Sequence, residues 1–198
     1  MLGLDAPSDA AQKLVDFLHL IEKWNKVYNL TAVRQPGEMV YRHLMDSLAV
    51  LPWLKGSRMA DVGSGGGLPG IPLAVMRPDV RFTLIDSSGK KTRFMRHAAR
   101  KLALENVQVV QCRVEDYDDA SAFDTVISRA FAALDDFVRM AGHLCGPGGR
   151  LLAMKGVLPP VGSQQLPEGW SVEGVHKLEV PGLDAERHVF LIVPDEAE

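Results

Sequence analysis

The chain has 198 residues, 46% of them hydrophobic and 24% charged, with 12 prolines and a formal charge of −3. That composition excludes a disordered or collagen-like chain, and the length suits one large domain, or one domain with a small appendage, that buries its own core. The small negative charge excludes a global basic field that gathers nucleic acid indiscriminately, so any contact with nucleic acid must be local.

From Ser8 to Tyr28, apolar residues recur at Leu14, Phe17, Leu18, Ile21 and Trp24, the spacing of a helix. A turn-like stretch, Asn29 to Gly37, separates it from a second periodic segment from about Glu38 to Leu54. Short β-rich runs then alternate with helical segments at Arg58–Val62, Arg81–Ile85, Val107–Gln111, Asp124–Ser128 and Arg150–Met154, which predicts βαβ units and a parallel sheet. Between the second and third runs, a helix over about Gly89 to Leu104 places Phe94, Met95, Ala98 and Leu102 on one arc. Lys90, Arg93, Arg96, His97, Arg100 and Lys101 fill the other. Trp170–Glu179 and Arg187–Val193 predict a terminal hairpin with a wide turn. The expectation is a helical cap, residues 1–56, within the same globular unit as a doubly wound α/β domain, residues 57–198.

Cys112 and Cys145 are the only cysteines and lack metal-ligand spacing, so they are expected to be small packing residues in a reducing compartment. Met1 to Gln12 shows no basic run followed by an apolar segment, and no run of about 18 apolar residues occurs. A cytoplasmic protein is therefore expected.

The most informative segment runs from Met59 to Gly70, where a short apolar strand ends in a glycine-rich loop before a helix beginning near Ile71. Glycine permits positive φ and lets a ligand approach the main chain, so a loop of this kind at a strand's carboxyl end is a cofactor site by position. Two patterns compete. Gly65 to Gly70 fits the dinucleotide fingerprint, whereas Asp61 to Gly67 fits the acidic-x-Gly-x-Gly-x-Gly pattern of S-adenosylmethionine-dependent methyltransferases. Register favours the second: a dinucleotide loop turns directly off its strand, which makes Gly63 the first glycine and puts Leu68 where the third should be. Asp61 also suits a methionine ammonium and would repel a pyrophosphate.

Asp86 ends the second strand 23 residues after Gly63 and can accept hydrogen bonds from a ribose. It suits adenosylmethionine and NAD equally. The turn Gly146-Pro147-Gly148-Gly149 resembles the one before the fifth strand of class I methyltransferases.

Longer stretches narrow the resemblance. Trp24 to Thr31, Arg42 to Ser47, Asp61 to Leu73, Ile127 to Phe131, Met154 to Gly156 and Glu186 to His188 resemble the RsmG family, also called glucose-inhibited division protein B. The resemblance implies a class I methyltransferase fold, with a largely parallel seven-stranded sheet whose last strand is antiparallel. It also implies methyl transfer from S-adenosyl-L-methionine to N7 of a guanine (guanine 527, in the 530 loop) of 16S ribosomal RNA. Carried over by position, the cofactor residues are Gly63, Leu68, Val114, Glu115 and Arg129, to which the residue reading adds Asp61, Gly65 and Asp86.

The chemistry is consistent with the absence of an obvious general base. Guanine N7 carries an in-plane lone pair, so no proton need be removed, and catalysis rests on proximity and orientation. For RNA, Arg81 to Arg113 holds eight Lys/Arg against two Asp/Glu inside a chain of net charge −3. The RNA-binding candidates are Arg93, Arg96, Arg100 and Lys101 on that segment, with Arg42 and Lys155. No metal is called for, and a monomer acting on 16S RNA or the 30S subunit is expected.

Blander readings stand beside these. Trp24 and Tyr28 fit core packing, His43 and His188 fit structural roles, and Arg129 has Asp124 and Asp135 as possible ion-pair partners. Glu115 begins an acidic loop with Asp116, Asp118 and Asp119 that could simply be solvated. The rival functions are an NAD-dependent oxidoreductase and a non-catalytic RNA-binding assembly factor.

Overall fold

A computed structural model describes residues 6–118, 122–131, 133–158 and 165–195. Asp119, part of the acidic loop expected after β3, lies outside the described residues.

Helix α1, Ala10–Tyr28, buries Leu14, Phe17, Leu18 and Ile21. It ends where Asn29 takes the left-handed conformation (φ 50°) and donates its N–H to the Asn25 carbonyl. The second periodic segment is not one helix. It breaks into α2 (Pro36–Met39), a π-helical turn (Val40–Met45), α3 (Asp46–Leu48) and a 3₁₀ turn (Leu51–Trp53). The wider π turn departs from the regular 3.6-residue period, and His43, Leu44, Asp46 and Ser47 are all buried there.

Seven strands form one sheet: β1 (Arg58–Val62), β2 (Arg81–Ile85), β3 (Val107–Val110), β4 (Phe123–Ser128), β5 (Cys145–Lys155), β6 (Trp170–Lys177) and β7 (His188–Pro194). Their order is β3-β2-β1-β4-β5-β7-β6. The first five pair in parallel, while β7 runs antiparallel to both β5 and β6. The terminal hairpin and the antiparallel last strand match the expectation. Strand β5 does not: it begins at Cys145 and not near Arg150. The Gly-Pro-Gly-Gly stretch bulges within it, because a step from Phe123 to Thr125 along β4 is matched by a step from Cys145 to Arg150 along β5.

Helices α4 (Gly70–Met76) and α5 (Gly89–Lys101) lie with the N-terminal elements on one side of the sheet, and α6 (Leu134–Ala141) lies on the other. The expected apolar arc of α5 is buried, and Phe94 meets the rings of Phe17 (6.2 Å) and Trp24 (5.5 Å). Burial of a ring of this size contributes about 2–3 kcal/mol. The chain moves outward from β1 to β3, then returns to the other side of β1 for β4 and β5. That reversal opens a crevice at the carboxyl ends of β1 and β4.

Candidate active site

The glycine loop occupies that crevice. Gly63, Gly65 and Gly67 take φ of 68°, 58° and 77°, whereas Gly66 and Gly70 do not have positive φ. The left-handed positions are thus those of the Gly-x-Gly-x-Gly register that starts directly after β1. The N–H groups of Gly63 and Ser64 donate to the Ile85 carbonyl at 2.9 and 3.2 Å, tying the loop to the end of β2. A Cβ on Gly67 would lie 2.5 Å from Ile71 Cδ1, and one on Gly70 would lie 2.3 Å from Leu84 Cδ2. Ser128 fastens the other wall by donating its hydroxyl to the Val62 carbonyl at 2.7 Å and accepting the Ala130 N–H at 3.0 Å.

Asp61 is fully buried; its Oδ2 accepts the Gly70 N–H at 2.8 Å and its Oδ1 has no hydrogen-bond partner among the described residues. Burial pushes its carboxyl up to about 7, against the opposing pull of the Gly70 N–H and the Arg129 guanidinium. An orphaned buried carboxylate oxygen fits a cationic group, and the methionine ammonium of S-adenosylmethionine is such a group. The donor set and the turns of the loop therefore fit this cofactor.

Asp86 directly follows β2, at the strand end where the sequence places a ribose acceptor. It is buried, with Oδ2 accepting the Gly65 N–H at 2.9 Å and Oδ1 accepting the Ser88 N–H at 2.8 Å, and Lys91 Nζ lies 3.7 Å away. Ser88 donates from the short β2–α5 connection that carries Asp86 and Gly65 donates from the glycine loop after β1, so Asp86 shapes that loop even without a ligand. Leu68 and Val114 are buried, the latter in a 3₁₀ turn (Val114–Asp116) after β3. Glu115 is exposed and sits 3.5 Å from Arg113.

Arg129 pairs with neither Asp124 nor Asp135. Its Nη1 donates to Asp46 Oδ2 at 2.8 Å, and Arg187 Nε donates to Asp46 Oδ1 at 2.7 Å. Asp124 instead accepts the N–H groups of Ser57 and Arg58. Sequence reasoning assigned no role to Asp46 or Arg187, although both lie inside stretches that carry the family resemblance. Nearby, His43 Nε2 lies 3.0 Å from Thr31 Oγ1, His188 Nδ1 donates to the Gly156 carbonyl at 2.9 Å, and Lys155 Nζ donates to the Phe131 carbonyl. Burial lowers the pKa of both His43 and Lys155. A cavity of about 280 Å³ opens among these groups.

The six RNA-binding candidates fall on two separate surfaces. Arg42 and Lys155 line the Asp46 cavity. Arg93, Arg96, Arg100 and Lys101 are exposed on α5. The first three of these line a second cavity of about 460 Å³ together with Trp24 and His97, whose rings are 5.1 Å apart. Trp24 is only half-buried, so it packs against Phe94 while forming part of that wall.

Residues 10–190 match the family described as rRNA small subunit methyltransferase G, GidB. The protein named ribosomal RNA small subunit methyltransferase G of Enterobacter sp. (strain 638) is 49% identical over 98% of this chain and 93% of its own length. Its namesake in Xanthomonas campestris pv. campestris (strain 8004) is 52% identical over 98% and 92%. Among solved structures, a SAM-dependent methyltransferase from Aquifex aeolicus gives a TM-score of 0.61 at 17% identity, covering 86% of this chain and 96% of that one. TrmN from Thermus thermophilus gives 0.58 at 20% identity, covering 75% and 47%. These two likenesses concern the fold, which is that of class I methyltransferases.

Proposed function

The chain belongs to the rRNA small subunit methyltransferase G family, and from that premise we propose that it methylates N7 of a guanine in 16S ribosomal RNA, using S-adenosylmethionine. The observation that carries the reading is the glycine loop with the orphaned Asp61 Oδ1 at the crevice of a class I methyltransferase fold. The cofactor, when bound, supplies an electrophilic methyl group on a sulfonium.

The chain's own residues bind and orient. Asp61 takes the ammonium of the methionine portion, and the main chain at Gly63 and Gly65, which carries no Cβ, lets the same portion approach closely. Asp86 retains acceptor capacity for ribose hydroxyls beside the two backbone N–H groups it already holds. Leu68 in the loop, Val114 and Glu115 after β3, the latter on the adenine side, and Arg129 after β4 complete the cofactor contacts. No side chain has to remove a proton, because the attacking nitrogen has none. The contribution of the protein is alignment of nucleophile, methyl carbon and sulfur.

The α5 cations Arg93, Arg96, Arg100 and Lys101 hold phosphates of the RNA around the target, with Arg42 and Lys155 closer to the chemistry. Residues 1–56 cap the sheet as part of one unit with 57–198, supported by a hydrophobic cluster joining Phe17 and Ile21 to Phe94 and Met95. None of the helices is long and apolar enough to cross a membrane among the described residues, and the proposed site of action is the cytoplasm, on the 30S subunit or its RNA, as a monomer.

The test is incubation with 30S particles, and separately with 16S RNA, in labelled S-adenosylmethionine, followed by mapping of 7-methylguanine by reduction and strand scission. Label at a single guanine N7 is the expected result. Cofactor binding with no label on either substrate would leave a non-catalytic assembly factor as the better reading.

A further inference from the structure

The cavity beside the carboxyl ends of β4 and β5 has an uneven electrostatic character. Arg42, Arg129, Lys155 and Arg187 contribute to its wall, together with His43 and His188, and Asp46 is the one carboxylate in the lining among the described residues. Asp46 is buried, and each of its oxygens already holds a guanidinium, Arg129 at 2.8 Å and Arg187 at 2.7 Å. Arg129 donates through Nη1, while Arg187 donates to Asp46 through Nε and to the Glu186 carbonyl through Nη1 at 2.7 Å. Both guanidinium groups therefore keep N–H donors beyond those engaged here. The clamp removes the freedom of two long side chains before any ligand arrives, which lowers the cost of binding. Lys155, with a pKa lowered by burial, gains from an anion nearby.

We propose that this cavity is an anion site for a backbone phosphate of the RNA next to the target guanine, and that Asp46 is the positioning residue that presents Arg129 and Arg187 to it. The proposal deepens the RNA methyl-transfer reading and rests on it. A phosphate fits better than the edge of the guanine itself. Methylation at N7 places positive charge on the base, and cations hydrogen-bonded to O6 would withdraw electron density from the attacking nitrogen and oppose the developing charge. A phosphate carries a full negative charge, matches the forked geometry of guanidinium donors and keeps the cations away from the ring. The cavity also lies next to the glycine loop, since Arg129 is close enough to Asp61 to favour its ionised form. A phosphate seated there fixes the position of the adjoining nucleotide relative to the cofactor crevice.

The first measurement needs no methyl transfer. Inorganic phosphate is titrated into the full chain at constant ionic strength while the guanidinium N–H resonances of Arg129 and Arg187 are followed by NMR. A saturable shift of both is expected, lost in Arg187→Ala and weakened about tenfold in Asp46→Asn. Absence of saturation, or saturation that is the same in Arg187→Ala, would overturn the proposal. Guanosine and guanosine 5′-monophosphate are then compared. Saturation by the monophosphate alone supports a phosphate site, and equal shifts with guanosine would show that the cavity reads the base. The second measurement is steady-state methylation by Asp46→Asn: KM for RNA is expected to rise about tenfold with kcat nearly kept, whereas a purely structural role would lower the active fraction and hence kcat. Should Asp46→Asn fail to fold, Arg187→Lys, which keeps the charge but loses the fork, takes its place in both measurements. Phosphate saturation with no methylation of RNA by the wild-type chain would uphold the anion site and refute the proposed reaction.

Discussion

Asp46 and Arg187 are 141 positions apart in sequence and 2.7 Å apart in space, joined by a charge-assisted hydrogen bond. Asp46 belongs to the irregular helical segment before the sheet, and Arg187 directly precedes the last strand. Together with Arg129 they join the N-terminal elements, the end of β4 and the start of β7 in one charged knot.

That knot is asymmetric in what each truncation leaves behind. Asp46→Ala strands two guanidinium groups whose side chains are 26% and 23% exposed, whereas Arg187→Ala leaves Asp46 with Arg129. Asp46→Ala is expected to cost about 2–4 kcal/mol and Arg187→Ala about half of that, read from urea unfolding midpoints at neutral pH. Equal losses would show that the remaining Arg129–Asp46 pair adds no stability once Arg187 is gone.

The buried Asp61 gives a pH dependence of known sign. Its carboxyl titrates near 7 in the folded chain and near its ordinary value of 3.8 unfolded. Between those values the folded chain holds a proton that the unfolded chain has lost. The stabilisation from this group is therefore full below about pH 4, falls as pH rises through 7, and is flat above it. Asp61→Asn keeps an acceptor for the Gly70 N–H but cannot ionise. Thermal melts should show the variant gaining stability relative to wild type as pH rises from 5 to 8. Affinity for S-adenosylhomocysteine should move the opposite way: in the wild type it rises with pH up to about 7, and in Asp61→Asn it is weak and flat.

Asp86→Ala is expected to act on the fold as well as on the ligand, because it removes the acceptor for the Gly65 and Ser88 N–H groups. A loss of about 1–3 kcal/mol in urea unfolding without ligand is expected, alongside weaker S-adenosylhomocysteine binding by calorimetry. A variant as stable as wild type would mean that solvent satisfies both donors.

Two adjacent glycines provide a matched comparison. Gly66 has ordinary φ and its nearest Cβ contact is 4.0 Å, so Gly66→Ala should change stability by less than about 0.5 kcal/mol. Gly67 has φ 77° and would press its Cβ to 2.5 Å from Ile71 Cδ1, so Gly67→Ala should cost about 2 kcal/mol or more and weaken cofactor binding. Similar behaviour of the two variants would contradict the loop geometry.

On α5, simultaneous replacement of Arg93, Arg96 and Arg100 by Glu should abolish most methylation of RNA while sparing S-adenosylhomocysteine affinity. Measured over a salt series, the wild-type rate should fall with increasing salt and the variant's should respond far less. An unchanged rate at every salt concentration would make that face ordinary solvated surface.

Much of the architecture was legible beforehand because it is local. Strand positions, the apolar arc of α5 and the glycine register each follow from periodicity or from residues within a dozen positions of one another. The breaks in the reading have local causes too. The π turn at Val40–Met45 interrupts a pattern that looks like one helix, and the Gly-Pro-Gly-Gly bulge extends β5 beyond the turn its composition predicts. The basic segment between Arg81 and Arg113 was visible as composition, but its separation from the surface that Arg42 and Lys155 share was not.

The sequence by itself determined the class of fold, the family and the register of the glycine loop, since glycine conformations and hydrophobic periods are written in contiguous residues. Only the tertiary structure decided how the charges are deployed: that Arg129 leans on Asp46, that Arg187 joins it across 141 positions, and that Asp86 holds the loop with both oxygens. An ion pair between distant segments has no sequence period. Its partners are selected by strand order and by which side chains are denied water, and those are properties of the folded chain alone.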